Sequence, residues 1–259
     1  MQVVFVKAGG SFITHKDVPV KVNVRALNSL VKILRAVKDD VSLVLGNGGG
    51  AFAHYAVLKH KANRLQVFLS KCHQATRSLN RLIVDYLVES GIWATSVQTS
   101  SIICKNKGEF KVFIEPIKQL VSNNIIPVVY GECILSGEDA AILSTEKVFE
   151  ILSMHIRPSR IVLLTDVNGV FTCNPRTCSN AKLITRITPE NLHSVLEVLK
   201  GTTTSDATGG VYSKVLSMSA FSFKTGIEVI ITSGFDEESA VAAIKGLTPK
   251  YGTIISPRP

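Results

Sequence analysis

The sequence predicts an α/β protein: a three-layer αβα sandwich around a mainly parallel central sheet. Short apolar, β-branched runs bounded by Gly, Asn or Asp recur along the chain. Longer stretches with apolar residues at helical spacing separate them. The short runs are continuously apolar and do not alternate with polar residues, so they read as strands buried on both faces, with helices above and below.

In chain order the strands are VVFV (3–6), VSLVL (41–45), IIPVVY (125–130), RIVLLT (160–165) and IEVIIT (227–232). Helical patterns fall at 23–38, 70–90, 139–155, 189–199, 211–224 and 237–245. Asn23 is the expected N-cap of the first, and Gly91 the expected C-terminal stop of the second. The stretch 98–115 carries two strand-like pieces about the turn KNKGE and predicts a hairpin at the edge or rim of the sheet. HIRPSR, near 155–160, divides the chain into a lobe at 1–157 and a lobe at 158–259 that share one sheet.

A chain of 259 residues with 46% hydrophobic content and mean hydropathy +0.26 can bury a core and is not disordered. No segment approaches the roughly 18 apolar residues of a membrane span. MQVVFVKAGGSF lacks the basic start and cleavage site of a signal peptide and reads as a first strand. The expectation is a cytoplasmic protein without membrane association. Its five cysteines, Cys72, Cys104, Cys133, Cys173 and Cys178, form no C-x-x-C pair and are expected to be free thiols. The net charge of +9 is spread thinly, and with 7% aromatics and no RNA-binding fingerprint it does not indicate a nucleic-acid partner. A phosphorylated small molecule would use the same charge through focusing in a cleft.

GNGGGA at 46–51 follows a strand and precedes a helix, matching G-x-G-x-x-[GA]. A dinucleotide site would need an acidic residue about 20 positions on, but the next acid is Asp85. No G-x-x-x-x-G-K-[ST] exists, so a P-loop is excluded. Gly9-Gly10, Gly131 and Gly209-Gly210 sit at comparable places, and strand ends of one α/β sheet converge on one edge. Such glycines turn backbone N–H groups toward an anion. Lys7, Lys16 and Lys214 accompany them, and a lysine closing the apolar strand VVFVK needs an anionic partner. Amides plus ammonium groups are what phosphoryl transfer asks of a protein.

VKAGGSFITHK, GNGGGAFAH, IIPVVYGE, VLLTDVNGVFTCNP, DATGGVYSK and the terminal GTII resemble, in this order, the amino acid kinase superfamily, whose fold has the architecture inferred above. Within it, His54, Lys16 and the helix QATRSLNRLIVDYLVESG resemble the isopentenyl phosphate kinases. The resemblance implies ATP and Mg²⁺ as cofactors, isopentenyl phosphate as acceptor, and a homodimer. It places the acceptor phosphate over the N-terminal lobe and ATP over the C-terminal one. Lys7, Ala8, Gly9, Gly10 and Ser11 would hold the ATP phosphates, and Lys16 would reach the transferred phosphoryl group. Gly49 and Gly50 would offer amides to the acceptor and the transferred group, and His54 would bind the acceptor phosphate. Asp166 would line the nucleotide pocket, and Gly210 with Lys214 would clamp the ATP phosphates. No base is needed, because the attacking oxygen of a phosphate monoester is already ionised.

Ala8, Ala51 and Ala53 are small departures from the motifs. At AAILSTEK, Thr145 and Glu146 stand where the family typically has Gly-Asp, and Thr145 is a candidate hydroxyl donor to the acceptor. Fosfomycin kinases resemble the same histidine-bearing loop. A non-catalytic nucleotide sensor is the alternative of another class, opposed by the joint presence of Lys7, Lys16, His54 and Lys214. His54 also disfavours a uridylate kinase. Thr76, Leu79 and Ile83 either wall the acceptor's tail or pack in the core, with the core favoured, and Asp166 alternatively caps a turn. The remaining histidines form no metal-like pair, and no carboxylate cluster offers a metal cage.

Overall fold

The computed structural model describes residues 1–15, 18, 20–200 and 210–258. In chain order its elements are β1 (Val3–Ala8), α1 (Gly10–Ile13), α2 (Val24–Val37), β2 (Ser42–Asn47), α3 (Gly50–His60) and α4 (Leu65–Glu89). There follow β3 (Ala94–Ser96), α5 (Thr99–Ile102), β4 (Ile103–Asn106), β5 (Glu109–Val112), α6 (Glu115–Ser122) and β6 (Ile126–Tyr130). Then come β7 (Glu132–Ser136), β8 (Asp139–Leu143), α7 (Thr145–Ser153), β9 (Arg160–Thr165), β10 (Val170–Phe171) and β11 (Leu183–Ile184). The last are β12 (Arg186–Ile187), α8 (Leu192–Lys200), α9 (Gly210–Thr225), β13 (Glu228–Ser233), α10 (Glu237–Lys245) and β14 (Thr253–Ile255).

The central sheet has eight strands in the order β12-β14-β13-β9-β1-β2-β6-β3. From β13 to β3 every neighbouring pair is parallel, and β14 runs antiparallel to β13. All five apolar runs are strands of this sheet. Alternate residues face opposite layers, which is why the runs carry no polar face. Val4, Val6, Leu43, Leu45, Val162 and Leu164 pack with α2, α4 and α10. Phe5, Val44, Ile161, Leu163, Val229 and Ile231 pack with α7, α8 and α9. Leu79 and Ile83 of α4 are fully buried in the first of these layers, so they belong to the core.

Local signals set the helix ends. The Asn23 side chain accepts from Ala26 N and caps α2. Gly91, with φ +75°, follows α4 where the chain reverses direction. The predicted hairpin exists as β4–β5, but it joins the antiparallel pair β7–β8 in a separate four-stranded sheet, through one parallel β4–β7 pairing. Residues 139–155, read as one helix, are the strand β8 followed by α7. Pairing of Ser136↔Asp139 across the turn at Gly137 overrides the helical spacing there.

Cys173 and Cys178 are joined as a disulfide, which corrects the expectation of five free thiols. The turn after Asn174, whose carbonyl accepts from Thr177 N and Cys178 N, brings their Cα atoms to 6.2 Å. Cys72, Cys104 and Cys133 are free. No helix among the described residues is long and apolar enough to cross a membrane.

Candidate active site

β1 and β2 are adjacent parallel strands in register Lys7↔Gly46 and Ala8↔Asn47, so their glycine loops leave the sheet side by side. β9 lies on the other side of β1. The chain therefore departs from β1 to both sides, and α/β sheets bind ligands where the order reverses in this way. Gly9 N donates to Leu164 O (2.8 Å) and Gly48 N to Ala8 O (2.9 Å). The two loops then meet backbone on backbone. A Cβ on Gly10 would lie 2.6 Å from both Cα and N of Gly50, and one on Gly48 would lie 2.6 Å from Gly10 N. Thr14 ties the loops together, its hydroxyl donating to Gly10 O (2.8 Å) and accepting from Ala51 N (3.1 Å). The backbone amides of Gly10, Ser11, Gly49 and Gly50 have no partner among the described residues. The result is a patch of N–H donors, three from glycines and one from Ser11, at the starts of α1 and α3, suited to phosphate oxygens.

Lys7 closes β1 next to this patch and forms an ion pair with Glu146 in the first turn of α7. Both residues are only 8% exposed. Burial pushes the Glu146 carboxyl up, but the charges of Lys7 and Lys214 and the hydrogen bond from Lys7 outweigh it and hold the group at about 2. Lys214 is on α9, which begins at Gly210 with φ +61°. Glu146 thus gathers two of the predicted lysines, one from each end of the chain. The anion that Lys7 was expected to need is, within the protein itself, this carboxylate. Lys16 and Gly209 lie outside the described residues.

Thr145 is 2% exposed. Its hydroxyl donates to Asn47 O (2.7 Å) and accepts from Gly131 N (3.0 Å). Its one hydrogen is therefore committed to the end of β2, and the side chain braces the ends of β2 and β6. His54 lies on α3, part-buried, and its imidazole has no hydrogen-bond partner among the described residues. Asp166 follows β9 and pairs with Arg176 at 2.6 Å. Arg176 belongs to the loop closed by the Cys173–Cys178 bridge.

Two polar groupings next to this edge carry no local signal in the sequence. One is the buried pair Asn47 and Asn80. The other is Glu132, whose buried carboxylate accepts from Arg77 Nε (3.1 Å) and Ser100 N (2.8 Å). Arg77 also donates to His73 Nδ1 (2.8 Å), which leaves His73 Nε2 to donate to Cys133 O (2.7 Å). Burial, with the Glu132 charge beside it, pushes the Tyr130 phenol up. An acid directly after a strand looks like a turn residue in sequence, which hid Glu132. Among the described residues no three His, Cys, Asp or Glu side chains gather as a metal cage.

The model of the amino acid kinase family matches residues 2–233. The isopentenyl phosphate kinase of Methanothermobacter thermautotrophicus is 29% identical over 228 residues, covering 82% of this chain and 84% of that protein. The isopentenyl phosphate kinase of Methanocaldococcus jannaschii is 27% identical over 226 residues, covering 81% and 84%. A crystal structure of an isopentenyl phosphate kinase substrate complex superposes with TM-score 0.78 at 23% identity, covering 98% of this chain and 99% of that one. With two glycine loops meeting at one sheet edge and the family match running through both core layers, the chain belongs to the amino acid kinase family.

Proposed function

We propose that this protein transfers the γ-phosphoryl group of ATP to the phosphate of isopentenyl phosphate, yielding isopentenyl diphosphate and ADP. The observation that carries the reading is the backbone-on-backbone meeting of the two glycine loops beside the buried Lys7–Glu146 pair, on which the charge of Lys214 also acts. One loop serves each phosphate, and their contact brings donor and acceptor together, as in-line transfer requires. Relatives named isopentenyl phosphate kinase over most of the chain support the choice of acceptor.

In this reading Lys7, Ala8, Gly9, Gly10 and Ser11 hold the ATP phosphates, with Gly210 and Lys214 clamping from α9. Gly49 and Gly50 give amides to the acceptor and the transferred group, and His54 donates to the acceptor phosphate. Lys16 neutralises the moving charge, and Asp166 lines the nucleotide pocket. Thr145 holds the loop ends from behind. An acceptor phosphate oxygen attacks the γ-phosphorus while the bond to the β–γ bridging oxygen breaks, and no proton needs to be removed. Mg²⁺ would sit on the ATP phosphates and neutralise their charge. Lobes at 1–157 and 158–259, a homodimer and a cytoplasmic location complete the proposal.

ADP release, measured in parallel with isopentenyl phosphate, dimethylallyl phosphate, fosfomycin and UMP, tests the acceptor. Turnover with the isoprenoid phosphates is expected, and its absence overturns the assignment. His54→Ala and Lys16→Ala should each lower kcat/KM by about 100-fold or more, and mild effects at both would contradict their roles.

A further inference from the structure

Beneath the acceptor loop runs a buried chain of side-chain amides that no step above uses. Asn47, the last residue of β2, and Asn80, in the middle of α4, are each 1% exposed. Asn80 Nδ2 donates to Asn47 Oδ1 (2.8 Å) and to Val128 O (3.4 Å), while Asn80 Oδ1 accepts from Ser96 Oγ (2.5 Å). These contacts leave one orientation for the Asn47 amide, with Nδ2 toward Gly48 O at 3.4 Å. The Asn47 backbone carbonyl meanwhile accepts from Thr145.

The peptide plane converts this chain into an aim. In a trans peptide the C=O and N–H point in opposite directions. Holding the Gly48 carbonyl toward Asn47 therefore turns the Gly49 N–H away from the core, to the side where the cradle amides gather. Glycines could not hold this orientation themselves, since their backbone is the least restricted of any residue. Packing offers no reason for the amides: α4 buries Leu79, Ile83 and Leu87 around Asn80, and an apolar residue there would need no partners. We propose that Asn80, acting through Asn47, is a positioning residue that orients the Gly48–Gly49 peptide for the acceptor phosphate. This rests on the assignment of that loop to the acceptor.

The test compares wild type, Asn47→Ala, Asn80→Ala and the double variant for the KM of isopentenyl phosphate, the KM of ATP, kcat and Tm. Each single variant should raise the acceptor KM about tenfold and leave the ATP KM within about twofold. The double variant should be no worse than the weaker single, because the two act as one unit. Parallel rises in both KM values, multiplying effects in the double, or a lower Tm with unchanged acceptor KM would each overturn the proposal. If Asn80→Ala does not fold, Ser96→Ala removes only the hydroxyl that donates to Asn80 Oδ1, and an unchanged acceptor KM there overturns it equally. A wild type that phosphorylates fosfomycin or UMP and neither isoprenoid phosphate overturns the assignment of isopentenyl phosphate instead, and the variants are then judged on that acceptor.

Discussion

Glu146 holds a buried negative charge paired with Lys7 and felt by Lys214, and its depressed pKa has a consequence for stability. A carboxyl held at about 2 in the fold, against 4.5 when unperturbed, stabilises the folded protein fully above pH 4.5. That contribution is lost as the pH falls from 4.5 toward about 2. Glu146→Gln removes it and leaves Lys7 buried without its counter-charge, which costs about 3 kcal/mol near neutrality. Urea denaturation against pH should therefore show the wild-type advantage at pH 7 shrinking steadily below pH 4.5. A pH-independent difference would contradict the ion pair. Lys7 was legible in the sequence because an ammonium at the end of an apolar strand demands an anion. Its partner was not, because an acid in the first turn of a helix is equally well explained by the helix itself.

At the scale of elements, α7 is the lever that delivers both Thr145 and Glu146. Its N-cap is Ser144, whose hydroxyl accepts from Lys147 N at 3.1 Å. Ser144→Ala should lower stability by about 1 kcal/mol, about 3 °C in Tm, and should lower kcat as well because the fraying turn carries Glu146. Thermal melts and steady-state rates check this, and a Tm loss with full activity would separate the cap from the site. The helical spacing of 139–155 extends through 139–143, since AAIL fits a helix as well as a strand. Those residues are a strand because a hairpin partner, β7, is available to them. The same competition explains Thr145, which resembles a substrate donor by position. Its hydroxyl is instead bonded to the β2 and β6 ends, an arrangement that exists only once three elements meet.

At the scale of the whole molecule, the net charge of +9 has a kinetic consequence for a phosphorylated acceptor. The kcat/KM for isopentenyl phosphate should fall severalfold from about 0.05 to about 0.5 M ionic strength while kcat changes little, because screening weakens attraction but not the chemistry. Equal loss of kcat would point to an effect on the site itself. The layered α/β architecture is written in the apolar runs, because strands buried on both faces must be apolar throughout. The meeting of the glycine loops after β1 and β2, with Lys7 beside them, was legible as well, because adjacent parallel strands end together. Which groups face each other there emerges only from the packed fold: Glu146 paired with Lys7, Gly10 against Gly50, Asn80 bonded to Asn47, and Cys173 bonded to Cys178. Hydrophobic period reports only which way a residue faces the core. Pairing of polar groups depends on contacts between elements far apart in the chain, and local pattern carries no record of them.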